Sequence, residues 1–76
     1  MAKLKDVLQY VAYGTSLDII EMDGRTINHL FPGSDLITRE IIEICRPELL
    51  EREMFSGIHA EGVRKDRLVM PIKKED

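Results

Sequence analysis

Three carboxylates, Asp18, Glu21 and Asp23, stand within six residues of one another beside Gly24. Such a cluster can do general acid–base work if the groups converge on one point. An extended chain separates them. Its period of two places Glu21 and Asp23 on one face and Asp18 on the other, and no helper histidine or metal triad follows at useful spacing. The remaining reactive groups are scattered. His29, His59 and Cys45 each stand alone in their neighbourhoods, with no CxxC, HxxxH or HExxH spacing, whereas zinc needs three or four converging ligands. Cys45 lies in an apolar run, where a free cysteine behaves as a small buried hydrophobe rather than a nucleophile. Gly33, Gly57 and Gly62 lack the following Lys-Ser/Thr of a phosphate-cradling loop. The expectation is therefore no catalytic residue, no metal, no cofactor and no enzymatic activity.

Charge is the next property that could select a partner. Net charge is −3 and the isoelectric point is near 5.3, but the signs are segregated. Residues 16–62 carry ten acids and four bases, while residues 63–74 carry Arg64, Lys65, Arg67, Lys73 and Lys74 against Asp66. The basic end either lies beside the acidic middle on a solvated surface or offers itself to phosphate. A DNA- or RNA-associated regulator using segment 64–74 is thus the second functional reading. Against it stand the acidic middle and the absence of aromatic residues among the bases for stacking.

Stepping the pattern along the chain gives the elements that must carry these groups. Leu4, Val7, Leu8, Val11 and Ala12 form one apolar stripe, so residues 3–13 are expected to be helical, with a poorly capped start and Gly14 as the stop. Tyr13 points off that stripe, either exposed as a contact residue or folded over the helix end, the second being favoured. Residues 16–30 read as a β-hairpin turning on Asp23-Gly24, a dipeptide suited to a type I′ turn. Ser34-Asp35 is positioned to cap a short helical turn. Residues 39–45, REIIEIC, fit a helix stripe or a buried strand. Their shortness, β-branching and terminating proline favour the strand. Pro47 suits the first turn of a helix over PELLEREMF. Residues 67–73 read as a last strand, with Pro71 demanding an edge or an unpaired side.

Seventy-six residues make a single domain, 1–76, of α+β class: an N-terminal helix on a small, mainly antiparallel sheet. A core this small is marginal, so self-association is a recognised route to added stability. One cysteine excludes an internal disulfide and, with no signal peptide or membrane span in view, leads to the expectation of a cytoplasmic protein.

The succession LKDVLQYVAYGT, SLDIIEMDGRTI, REIIEICRP and RLVMPIK resembles small phage- and prophage-encoded α+β proteins of Gram-positive bacteria, a mostly uncharacterised group. The resemblance covers most of residues 3–47 and implies a cytoplasmic protein that binds and modulates a host protein. A defence nuclease such as a CRISPR effector is the partner class it suggests, since anti-CRISPR proteins are often this small and acidic. The chain departs from the pattern in the insertion at residues 48–65. There a charged helix, an apolar pair and a glycine-flanked loop supply Glu51, Glu53, Met54, Phe55 and His59. With Tyr13, these are the residues expected to contact a partner.

Overall fold

The computed structural model describes residues 2–23, 26–55 and 66–74. The element order is α1 (Leu4–Leu8), β1 (Leu17–Asp23), β2 (Thr26–His29), α2 (Thr38–Ile44), α3 (Pro47–Leu50) and β3 (Leu68–Lys73). The sheet has order β2-β1-β3. β1 pairs antiparallel with β2 and parallel with β3. The sheet is mixed, which corrects the expectation of mainly antiparallel pairing. A parallel neighbour needs a long crossover, and α2 and α3 lie within it.

The apolar residues that face the helices explain why the elements meet as they do. Leu17 and Ile19 of β1, with Met70 and Ile72 of β3, form a buried cluster with Leu4 and Leu8 of α1 and Ile41 of α2. Leu49 and Leu50 of α3 pack on its margin. Ile20 and Met22, on the opposite face of β1, are also buried, so the central strand is covered on both faces although Asp18 and Glu21 interrupt its apolar residues.

Several expectations change in detail. The first helix stops at Leu8 rather than Tyr13. Tyr10 and Val11 donate three residues back, to the Val7 and Leu8 carbonyls at 3.0 Å each, and these tighter bonds wind the helix down. Its start is held, not frayed. The Lys3 amide donates to the Asp6 carboxylate at 3.1 Å, and the Leu4 amide to the Arg52 carbonyl at 2.8 Å. Tyr13 is 64% exposed and does not fold over the helix. The hairpin forms, but Asp23 pairs with Thr26 and is the last residue of β1, not a turn residue. Gly24 lies outside the described residues. Ser34 and Asp35 do not start a helical turn.

Residues 39–45 are the largest correction, because residues 39–44 are helix and not strand, with Cys45 as the extended C-cap. Glu40 reaches back to accept from the Ile37 amide at 3.3 Å, which satisfies an orphan donor at the helix start. Thr38 and Ile41, one turn apart, are both fully buried. The β-branched penalty of a few tenths of a kcal/mol per residue is smaller than that burial, at about 1.5–3 kcal/mol per large side chain. Arg46 is extended, with ψ 149°, as a residue before proline must be, and Pro47 opens α3 at its first position. The helix over PELLEREMF ends at Leu50, so Glu53, Met54 and Phe55 are extended instead. They lie along β3: the Phe55 amide donates to the Pro71 carbonyl and the Lys73 amide to the Glu53 carbonyl, each at 3.0 Å. Pro71 occupies an edge strand with its missing donor turned away from β1, where it costs no ladder bond.

Candidate functional site

β1, the end of β2, α2 and α3 together frame an open cleft of about 530 Å³ on the helix side of the sheet. Its apolar walls include Leu30, Phe31, Ile44 and Leu49. Ile44, the last residue of α2, is 55% exposed. Glu21 and Arg52 line the cleft between these walls, joined by an ion pair of 3.1 Å. Arg52 also donates to the Lys73 carbonyl. The Asn28 side-chain amide and the Arg52 guanidinium hold the Glu21 carboxyl below its ordinary pKa. Both charges are mostly withdrawn from solvent and bonded to each other, so the pair acts as a fixed polar floor. Cys45 borders the same cleft, and burial pushes its thiol pKa up. A thiol held protonated is a poor nucleophile.

A second constellation lies on the other face of the sheet. Asp18 is 5% exposed, and its two carboxylate oxygens stand 3.1 and 3.0 Å from Nδ1 of His29. The hairpin register places Asp18 and His29 diagonally on one face. A carboxylate at Nδ1 holds the orientation of the imidazole ring. His29 is the helper histidine that spacing along the chain does not reveal, because it reaches Asp18 across the hairpin. Among the described residues no group of three or more His, Cys, Asp or Glu is placed to hold a metal.

The residues singled out from the sequence are dispersed. Glu51 accepts from Lys3 at 2.8 Å and from Lys5 at 2.6 Å. These lysines depress its pKa from 4.5 to about 2, and the bond to Glu51 raises that of Lys3. Glu53 is paired with Lys73 at 3.1 Å. Met54 packs against the core, and Phe55 is half-buried. Tyr13 and Tyr10 stay exposed, Tyr10 at 85%. His59, with Arg64 and Lys65, falls outside the described residues. The same segment contributes Glu48, Leu49 and Arg52 to the cleft, residues outside the expected contact set. Of the basic segment, Arg67 is bonded to Asp35 at 2.7 Å and Lys73 to Glu53, while Lys74 lies 3.8 Å from Asp23.

Fold and cleft define a small α+β domain with a mixed sheet. No family model, curated protein or solved structure matches the chain. Among the described residues no helix is long and apolar enough to cross a membrane.

Proposed function

We propose that this chain is a non-enzymatic binding protein that docks a partner protein in the cleft between the β2 end and α2–α3. The observation that carries this reading is Ile44. A large aliphatic side chain on a helix of a small domain is more than half exposed at the mouth of a concave, mostly apolar surface. Such anchors, rimmed by polar groups like Arg46 and Glu48, are where binding energy concentrates in protein interfaces. The exposed Tyr13 is a further contact available to a partner. A phage or mobile-element origin, a host protein as partner, and a defence nuclease as its class rest on the resemblance of the helix, hairpin and last-strand segments, since residues 39–44 are helical.

The test compares wild type with Ile44→Asp, each immobilised and exposed to a lysate of a Gram-positive host with and without nuclease treatment. The reading expects a protein retained by wild type and lost with the variant at an unchanged thermal midpoint. Equal retention by both would place the working surface elsewhere. Retention that nuclease treatment abolishes would favour the basic segment 64–74 and a nucleic-acid partner.

A further inference from the structure

Hydrogen bonding along β2 leaves backbone groups facing away from β1 on the edge beside the cleft. The Leu30 amide donates to the Ile19 carbonyl at 3.0 Å. Bonded and non-bonded pairs alternate along an antiparallel ladder, so the pairs Glu21–Asn28 and Asp23–Thr26 are bonded ones. Ile27 and His29, opposite Met22 and Ile20, therefore turn their N–H and C=O groups away from β1. No backbone bond beyond the ladder engages either residue among the described contacts. The opposite edge of the sheet differs, because residues 53–55 already bond to Pro71 and Lys73 of β3. The open edge is short, at four residues, but Thr26–His29 holds no lysine, acid or proline to oppose pairing.

We infer that β2 accepts an extended segment of the partner protein as an added strand, with an apolar side chain of that segment entering the cleft. This rests on the docking reading above and supplies its geometry. Unsatisfied backbone donors and acceptors select a peptide backbone in β conformation, and a neighbouring pocket selects a side chain. Leu30 lies opposite Ile19, on the helix side of the sheet, and lines the cleft. A strand beside β2 thus carries every second side chain past the cleft wall. A second copy of this chain fits the edge less well. Pairing Ile27 with His29 of a twofold-related copy sets Asn28 against its own counterpart on the cleft side. That amide is already bonded to Glu21 at 3.0 Å and is polar. A leucine-sized apolar side chain buried in the cleft would instead strengthen binding by roughly ten- to a hundredfold.

The experiment titrates the isotope-labelled full chain with blocked peptides in which threonine alternates with leucine or phenylalanine, following backbone amides by NMR. The inference expects saturable shifts at Ile27, His29 and Leu30. N-methylation of the peptide's bonding edge should weaken binding about tenfold. Ile27→Pro should do the same, because it deletes an outward donor and no ladder bond. Shifts confined to Ile44 and Cys45 and insensitive to N-methylation would overturn the added strand while leaving the docking cleft in place. Edge shifts unaffected by Ile44→Asp would preserve the strand and remove the cleft as its pocket. No shifts at the edge, or edge shifts that follow protein concentration without peptide, would overturn the inference.

Discussion

Ile41 and Ile44 are the same residue type one turn apart in α2, and their mutants should behave very differently. Ile41 is fully buried among Leu4, Leu8, Leu17, Ile19, Met70 and Ile72. Ile41→Ala deletes three carbons, which at about 0.8 kcal/mol per buried group is roughly 2.5 kcal/mol before any cavity term. Incomplete relaxation should bring the loss to about 3–4 kcal/mol. A chain of this size has about 4–11 kcal/mol to lose, so Ile41→Ala should remove about a quarter of it or more. Ile44 keeps more than half its surface in solvent. Its truncation should lose about 1 kcal/mol at most, offset by about 0.4 kcal/mol of improved helix propensity. Urea unfolding followed by circular dichroism resolves the two. With a slope near 1 kcal/mol per molar urea, Ile41→Ala should move the midpoint by about 3 M and Ile44→Ala by less than about 1 M. If Ile41→Ala abolishes the transition, Ile41→Val should still show a loss of about 0.5–1.5 kcal/mol. Equal losses at the two positions would make Ile44 a core residue and remove it from the cleft.

Glu51→Gln should flatten the acid limb of stability. A carboxylate depressed on folding contributes stability that is complete above its unfolded value near 4.5 and is lost as pH falls toward about 2. The effect should be small and weaken in high salt, because the group is exposed; urea midpoints across that window check it. His29→Ala should cost about 1–3 kcal/mol at neutral pH by leaving the buried Asp18 carboxylate without its partner. Asp18→Asn, which can still bond the imidazole, should cost less in the same urea assay. Gly33 has φ 75° with open space where a Cβ would sit, so Gly33→Ala should lose about 1–2 kcal/mol from backbone strain alone. Gly33→Asn should lose less, and comparable midpoints for the two would contradict this.

Local pattern carried the parts of the fold that depend on local pattern. Ile19, Ile20 and the Asp23-Gly24 dipeptide marked the hairpin, though Asp23 belongs to β1 rather than to the turn; Leu4, Val7 and Leu8 marked a helix, and Pro71 marked an edge. REIIEIC was not decidable locally. Its isoleucines suit either state, and the helix is selected by the Glu40 side chain on the Ile37 amide and by a core that wants Thr38 and Ile41 together. The direction of β3 was likewise unreadable, since a strand's composition does not say which way its neighbour runs. The Asp18–His29 pair was legible in principle, because both fall on one face of the hairpin. The cleft was not. It joins Glu21, Leu30, Ile44 and Arg52 from distant parts of the chain, and reading residues 39–45 as a strand dissolves its wall.

The most direct measurement of the docking account is partner affinity for wild type and Ile44→Asp, at low and physiological salt, with unfolding midpoints for both. The account predicts a loss of about tenfold or more in the variant, little salt dependence in wild type, and matching midpoints. Unchanged affinity in Ile44→Asp, or wild-type binding that collapses between the two salt conditions as phosphate-driven complexes do, would contradict it.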